Sequence, residues 1–388
     1  MTVSKLFTPL QVGKMNLQHR LVMAPLTRFR ADDNHVPILS MVKEYYAQRA
    51  CVPGTLLVTE ATYISPQAMG YPNAPGLFKD EQLKAWKEVT DAVHEKGSFI
   101  YCQLWAMGRA AVPAFMKSQG LDMISSSATS MDEKSETPRA LTEEEIEDFI
   151  EAYADAAKAA VEVAGFDGVE IHAANGYLID QFTQDTCNKR TDKWGGSIEN
   201  RSRFATAVAT AVVNAVGAER TGIRLSPWST FQGMRMANPV PQFSHLINQL
   251  KPLNLAYLHL VESRIENNAP INTPEESWNR SKYTNIEALD SLAFAFQIWG
   301  KQSPIFLAGG YKPKDAFETV DGELKDTDVC IVFGRWWIAN PDLAFRIREG
   351  IELNKYDRDT FYKAKSVDGY TDYKFSKEWV EKKGEFKL

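Results

Sequence analysis

Short apolar segments alternate with amphipathic ones along most of the chain. Eight of these segments are almost continuously apolar, a pattern typical of strands that are buried on both faces of a parallel sheet. They comprise residues 21–25, 55–59, 99–104, 168–171, 222–225, 256–261, 305–307 and 329–333. Between them, apolar residues recur with the 3.6-residue period of a helix. The pattern therefore predicts a chain in which most strands are followed by a helix.

Three of the amphipathic segments carry clear helical signals. The spacing of apolar residues predicts one helix over about 80–96. Thr142 and Glu145 have the spacing of a capping box, which predicts that a second helix begins there. A third helix is predicted from the apolar stripe over 204–215, and Gly217 would end it.

Eight strands with intervening helices predict an α/β protein built as a (β/α)₈ TIM barrel. An open doubly wound sheet is the alternative, but the G-x-G-x-x-G turn expected after its first strand is missing. The barrel is expected to form a single domain over 1–388. Residues 6–20 are predicted to form a hairpin that closes the bottom of the barrel. Residues 110–139, rich in Ser, Met and Pro, are predicted to form a capping insertion after the third strand, whereas 263–279 are polar and irregular.

The charge balance excludes several classes of protein. With 44 Lys and Arg against 50 Asp and Glu, the net charge is -6, which argues against a nucleic-acid partner. No stretch approaches the roughly 20 apolar residues of a membrane span, and no secretory signal is visible at the start. The four cysteines are far apart and form no C-x-x-C motif, so we expect no metal cluster and a cytoplasmic, reducing environment.

The fourth predicted strand is followed by the sharpest chemical signal. The active site of a TIM barrel lies where strands end, and here His172, Asn175 and Tyr177 place three hydrogen-bonding side chains within six residues. A His and an Asn that point inward can stabilise negative charge on a carbonyl oxygen, and the Tyr can deliver a proton. The alternative is that they only satisfy backbone groups. A metal site is disfavoured because no further ligands follow the required pattern.

The seventh and eighth predicted strands end in Gly309-Gly310 and Gly334-Arg335. In TIM barrels these two loops commonly build a phosphate site, because backbone N–H groups at glycines approach an anion without obstruction. The arginine would add charge and a fork of donors. The pair of loops therefore indicates a phosphate-bearing ligand.

Polar residues also interrupt apolar strands. Thr27, Gln103 and Arg224 lie within strands or at their ends, and a buried guanidinium needs an anion or a cofactor. Together they are suited to the edge of a flat heterocycle whose phosphate reaches the seventh and eighth loops, which is the shape of FMN. A structural ion pair of the arginine with Glu60 or Glu170 is the alternative. His259, inside the sixth strand, is interpreted as a core residue or a residue that supports the site.

At these positions the chain resembles the old yellow enzyme family of FMN-dependent ene-reductases, of the fungal and yeast type. The resemblance covers about residues 6–373. It is carried by motifs such as MAPLTRFR from Met23, GVEIHAANGYLIDQF from Gly168, RLSP from Arg224 and FGRWWIANPDL from Phe333.

The resemblance implies roles for three groups of residues. The residues implied to bind FMN, non-covalently, are Pro25, Leu26, Thr27, Ala61, Gln103, Arg224, Gly310, Gly334 and Arg335, with Gly309 beside them. His172 and Asn175 would bind the carbonyl oxygen of the substrate, and Tyr177 would be the proton donor. The aromatic residues expected around the substrate are Tyr71, Trp105 and Tyr370.

The resemblance also implies the reaction. NADPH or NADH would reduce FMN, and hydride would then pass to the β-carbon of an α,β-unsaturated aldehyde or ketone. A specialised enal reductase or isomerase of secondary metabolism is the alternative within the family. A flavin-free barrel lyase or isomerase and a flavin-binding protein without turnover are the alternatives outside it. We expect a monomer or homodimer.

Overall fold

The protein is described from a computed structural model that covers residues 4–262 and 290–385. The polar, irregular segment 263–279 lies outside the described residues. Within these ranges the strands are β1 (Leu10–Val12), β2 (Met15–Leu17), β3 (Leu21–Met23), β4 (Leu56–Val58), β5 (Thr62–Tyr63), β6 (Phe99–Trp105), β7 (Ile124–Ser125), β8 (Arg139–Ala140), β9 (Gly168–Ala173), β10 (Thr221–Leu225), β11 (Tyr257–Val261), β12 (Ile305–Ala308) and β13 (Val329–Phe333).

The helices connect these strands. In the same ranges they are α1 (Leu39–Arg49), α2 (Asp80–His94), α3 (Pro113–Ser118), α4 (Glu143–Glu162), α5 (Leu178–Thr183), α6 (Ile198–Val216), α7 (Val240–Leu250), α8 (Ala293–Trp299), α9 (Pro313–Glu318), α10 (Arg335–Ala339), α11 (Leu343–Glu349) and α12 (Lys377–Glu385).

Eight parallel strands form a closed barrel. Their order is β3, β4, β6, β9, β10, β11, β12 and β13, and the parallel pairing of β13 with β3 closes the circle. Each of the eight predicted apolar segments overlaps one of these strands, and their ends agree to within two residues. The TIM-barrel prediction is therefore confirmed, and the carboxyl ends of all eight strands meet at one face of the barrel.

The interior of the barrel is divided into an apolar and a polar part. Strands β3, β4, β12 and β13 contribute apolar side chains such as Val22, Val58, Phe306 and Val332 to one buried cluster. As predicted, β1 and β2 form an antiparallel hairpin, and its apolar residues pack into the same cluster from below. The polar side chains inside the barrel come from β6, β9, β10 and β11, so one side of the barrel interior is polar.

The predicted signals at the ends of helices are present in the structure. Thr142 Oγ1 accepts a hydrogen bond from the backbone N–H of Glu145 at 3.2 Å, and the Glu145 carboxylate accepts one from the N–H of Thr142 at 2.8 Å. This capping box begins α4. Gly217 ends α6 with a φ of 94°, a backbone conformation that residues other than glycine rarely adopt.

The capping insertion lies over the loops at the carboxyl end of the barrel. It contains α3 and a short pairing of β7 with β8. The buried guanidinium of Arg109 donates to the carbonyls of Thr129 and Ser130 at 3.2 and 3.0 Å, and to the carbonyl of Gln232 at 3.0 Å. The insertion is thereby fixed to the loop that follows β10. Across the described ranges, no helix combines the length and apolar character that crossing a membrane requires.

Replacing Thr142 with alanine removes one half of the capping box. We expect the free energy of unfolding to fall by about 1 kcal/mol, because the backbone N–H of Glu145 loses the Thr142 hydroxyl that accepts its hydrogen bond. Urea denaturation followed by circular dichroism measures the change. The matched control is Thr210→Ala in the interior of α6, where the hydroxyl only bonds back to the carbonyl of Thr206 at 2.8 Å. Equal losses in the two variants would contradict a specific role for the cap.

Candidate active site

A cavity of about 530 Å³ opens at the carboxyl ends of the barrel strands. Twelve of the sixteen residues selected from the sequence line it. They are Pro25, Leu26, Thr27, Ala61, Tyr71, Gln103, Trp105, His172, Asn175, Tyr177, Arg224 and Arg335. The fold therefore brings into one cavity residues that are more than 300 positions apart in the chain.

The turn after β9 holds Asn175 in a constrained backbone conformation. Asn175 has a φ of 58° and the next residue, Gly176, has a φ of 76°. The N–H of Asn175 donates to Ser226 Oγ at 2.7 Å, and the N–H of Gly176 donates to the buried carboxylate of Asp180 at 2.8 Å. Left-handed backbone at a residue other than glycine costs free energy, so these bonds fix a turn that the chain would otherwise avoid.

His172 is buried but has a free ring nitrogen. Its side chain is 4% exposed, and within the described residues no protein group bonds to its Nδ1. Burial lowers the pKa of His172 well below its usual value, and the charge of Arg224 acts in the same direction. The imidazole is therefore neutral. A buried polar atom without a partner is costly, so this nitrogen is suited to a ligand.

Tyr177 stands beside the imidazole. Its ring centroid lies 4.8 Å from that of His172 and 5.0 Å from that of Trp105, with near-perpendicular planes in the second pair. Burial raises the pKa of Tyr177 above its usual value, and a hydrogen bond from the side chain of Gln232 opposes this only in part. The phenol is protonated at neutral pH and can donate a proton.

Gln103 and Arg224 form the polar side of the cavity floor. Gln103 Nε2 donates to Glu170 Oε1 at 2.7 Å. Arg224 is only 9% exposed, and its Nε bonds to no protein group within the described part of the chain. The sequence left open a structural ion pair of Arg224 with Glu170. The Glu170 carboxylate is instead hydrogen-bonded to Gln103, Tyr257 and His259, so the guanidinium remains available to a ligand.

The glycines chosen as a phosphate site lie at the ends of two adjacent strands. Gly309 and Gly310 follow β12, and Gly334 follows β13, but they are not among the residues that line the cavity. Gly310 has a φ of 73°, which favours glycine. A Cβ on Gly334 would come within 3.2 Å of Leu26 Cδ2. Arg335, the next residue, does line the cavity.

Tyr370 is not at the cavity, contrary to its predicted place around the substrate. Its side chain is 0% exposed, and its ring stacks on that of Tyr45 at a centroid distance of 3.9 Å. The guanidinium carbons of Arg28 and Arg30 lie 5.1 and 4.8 Å from its ring centroid. Tyr370 thus belongs to a buried stack behind the cavity wall.

Phe361 and Tyr362 line the cavity from the same C-terminal segment, and neither was selected from the sequence. Arg28 holds this segment in place. Its Nε donates to the carbonyl of Phe361 at 2.9 Å and its Nη2 to that of Gly369 at 2.7 Å. Phe29, next to Arg28, also lines the cavity and was also missed. Bonds to backbone carbonyls far along the chain leave no local pattern that would have revealed these walls.

Comparison with known proteins identifies this arrangement. The family model described as NADH:flavin oxidoreductase / NADH oxidase matches residues 5–354. The chain belongs to this family. It is an FMN-dependent oxidoreductase that uses NADH or NADPH as reductant.

The relatives of this oxidoreductase cover almost its whole length. It is 58% identical to a chanoclavine-I aldehyde reductase of Penicillium roqueforti, across 97% of this chain and 98% of that protein. It is 53% identical to an NADP-dependent oxidoreductase of Aspergillus flavus, with 98% of both chains covered. The crystal structure of old yellow enzyme from a Pichia species superposes with a TM-score of 0.84 at 39% identity, covering 96% of this chain and 94% of that one.

The side chains that line the cavity of the oxidoreductase are chemically suited to FMN. The orphaned Nε of Arg224 offers a buried positive donor for the electron-rich edge of a flat ring. Arg335, beside Gly334, offers a second charge at the other end, next to backbone that carries no Cβ. Leu26 and Ala61 give apolar surface in the same cavity. The cavity thus offers positive donors together with apolar surface, which suits a flat ring that carries a phosphate.

The pKa of His172 gives a direct test of the site. In the FMN-loaded protein we expect its imidazole to stay neutral from pH 8 down to pH 5.5, because burial and Arg224 disfavour the cation. His94 is the internal control, since its hydrogen bond to Asp167 raises its pKa above the usual value. Nitrogen NMR of histidine-labelled protein measures both. A His172 signal that titrates together with that of His94 would contradict the buried, neutral assignment.

Proposed function

We propose that this oxidoreductase reduces the carbon–carbon double bond of α,β-unsaturated aldehydes and ketones. The observation that carries the proposal is that the buried imidazole of His172, whose Nδ1 bonds to no protein group within the described residues, lines the same cavity as Asn175 and Tyr177. A relative of 58% identity is named an aldehyde reductase, which supports a carbonyl compound as substrate.

The residues that would hold FMN form two groups. Thr27, Ala61, Gln103 and Arg224 would contact its ring, and Arg335 with Gly309, Gly310 and Gly334 would hold its phosphate. When bound, FMN supplies the two-electron chemistry that connects NADPH or NADH with the double bond of the substrate. The side chains described next bind and polarise that substrate.

His172 and Asn175 would donate hydrogen bonds to the carbonyl oxygen of the substrate. Such bonds withdraw electrons through the conjugated system and make the β-carbon electrophilic. Negative charge on the oxygen grows as hydride arrives, so the two donors bind the transition state more strongly than the ground state. A neutral imidazole suits this task, because it acts as a fixed donor and does not transfer its own proton.

Tyr177 would then protonate the α-carbon. Its hydroxyl is kept protonated by burial, and its ring is fixed between Trp105 and His172. A proton donor at this position completes the saturation of the double bond. This favours net reduction over isomerisation, in which the double bond would be restored.

The walls of the cavity suggest the shape of the substrate. Aromatic rings from six separate segments line it: Phe29, Tyr71, Trp105, Tyr177, Phe231, Phe361 and Tyr362. The lining residues that the structure describes include arginines but no carboxylate. A flat, largely apolar enal matches such walls. The named relative acts on chanoclavine-I aldehyde, and we therefore propose an enal of secondary metabolism in preference to a small general enone.

We also propose that the enzyme works in the cytoplasm on a small molecule, as a monomer or homodimer. All four cysteines are buried and none of them forms a disulfide, as suits a reducing compartment. The net charge of -6 gives no support for a nucleic-acid partner.

Removing either carbonyl donor tests the proposed binding of the substrate. We expect His172→Ala and Asn175→Ala each to lower the rate of enal reduction by about 10²- to 10³-fold, because one transition-state hydrogen bond is lost. FMN content, read from the absorbance spectrum, should stay near that of the wild type. His94→Ala is the matched control, since His94 lies at the end of α2 and bonds to Asp167, away from the cavity. Near-normal turnover of several enals by both cavity variants would overturn the assignment.

Tyr177→Phe separates the two halves of the reaction. Under anaerobic conditions we expect NADPH to reduce the bound FMN at the normal rate, whereas reoxidation by an enal becomes slow because no proton reaches the α-carbon. Stopped-flow absorbance measures both rates. Tyr153→Phe on α4 removes a buried hydroxyl away from the cavity and should change neither rate. Slowing of the NADPH step alone would refute the role as proton donor.

A further inference from the structure

A buried carboxylate lies directly below the substrate and cofactor residues. Glu170 precedes His172 by two positions on β9, so both side chains point to the interior of the barrel, one layer apart. The Glu170 side chain is 0% exposed. It does not line the cavity, and none of the proposed steps uses it.

Glu170 joins three strands through hydrogen bonds. Its Oε1 accepts from Gln103 Nε2 on β6 at 2.7 Å. Its Oε2 accepts from the Tyr257 hydroxyl at 3.1 Å and is 2.7 Å from His259 Nδ1, both on β11. A carboxylate that accepts three hydrogen bonds in the interior is strongly ordered.

The carboxylate also acts through its charge on the buried guanidinium of Arg224, although the two groups form no ion pair within the described residues. Arg224 on β10 is in register with His172 on β9, the strand that carries Glu170, and with His259 on β11. Burial by itself raises the pKa of Glu170, but His259, Arg224 and Gln103 together hold it below its usual value. Burial also lowers the pKa of His259, so the imidazole is neutral and donates through Nδ1. The charges of Glu170 and Arg224 therefore balance each other.

The ionised carboxylate also determines which way Gln103 faces. A carboxylate only accepts hydrogen bonds, so the atom of Gln103 that meets it must be the NH₂ group. The carbonyl oxygen Oε1 of Gln103 is then left as an acceptor for a ligand in the cavity, which Gln103 lines. One buried group thereby controls two cavity residues, one by charge and one by orientation.

We propose that Glu170 is a positioning residue that sets the reduction potential of the bound FMN. It offsets the charge of Arg224 and presents the Gln103 carbonyl to the ring; this inference rests on the proposed FMN contacts of these two residues. Reduction adds negative charge to the cofactor, and a positive charge nearby favours the reduced form. Without the carboxylate, the charge of Arg224 is uncompensated and the potential rises.

Glu170→Gln tests this directly, since the amide retains the shape and removes the charge. In an anaerobic titration of the FMN-loaded variant against a two-electron reference dye, we expect the equilibrium constant to shift at least about tenfold toward reduced FMN, which corresponds to about 30 mV. Glu170→Asp keeps the charge and should restore most of the wild-type potential. If Glu170→Gln does not fold, Tyr257→Phe removes one donor from the carboxylate, and we expect a smaller shift in the opposite sense.

Asp342→Asn is the matched control. Asp342 is a buried carboxylate that pairs with Arg346 at 2.8 Å outside the cavity, so its loss should lower stability and leave the potential unchanged. The role of Glu170 would be overturned if the equilibrium constant of Glu170→Gln lay within twofold of the wild-type value. The same shift in Asp342→Asn would overturn it as well. The potential is measured without any enal, so failure of the proposed function is seen separately, as absent enal turnover by the wild type.

Discussion

A guanidinium buried inside the barrel is the constraint on which the site depends. Arg224 lies on β10, in a strand that is buried along its whole length. An isolated charge in such a place is very costly, so the surrounding residues must balance it. Glu170 provides the negative charge, and Gln103 and His259 satisfy that carboxylate in turn. The polar half of the barrel is thus a connected network, and a cofactor edge is the group that completes it.

The second constraint is the turn that carries Asn175, one of the two proposed donors to the carbonyl oxygen of the substrate. Asn175 and Gly176 both have left-handed backbone, and buried partners on either side hold them. One of these partners, Asp180, has its pKa raised to about 7 by burial, although its bonds to Gln184 and Gly176 oppose the shift. The unfavourable turn and the buried acid lower the stability of the fold, and the packing of a large barrel compensates for this loss. The turn places the imidazole of His172 and the amide of Asn175 in one cavity.

Features that depend on residues close together in the chain could be predicted from the sequence, whereas features that depend on distant residues could not. The eight strands and the capping box at Thr142 arise from local patterns of apolar and polar residues, and all of them were predicted. The residues at the strand ends could be placed because a TIM barrel gathers such ends at one face. Tyr370 was misplaced because the C-terminal segment is positioned by Arg28 and Arg30, which bond to backbone carbonyls more than 300 residues away. Backbone acceptors have no sequence signature, so the walls formed by Phe361 and Tyr362 could not be foreseen.

The surroundings of Tyr177, the proposed proton donor, connect the barrel with the loops that cover it. Tyr177 follows β9, and its phenol meets the side chain of Gln232 from the loop after β10. Gln232 has a φ of 59°, and its carbonyl accepts from Arg109, which also binds the capping insertion at Thr129 and Ser130. Three loops from different strands therefore converge behind one hydroxyl. The floor of the cavity is fixed by the barrel itself, whereas the surroundings of the proton donor depend on inserted segments. A change in these loops would therefore alter the surroundings of Tyr177 and leave the polar network around Arg224 in place.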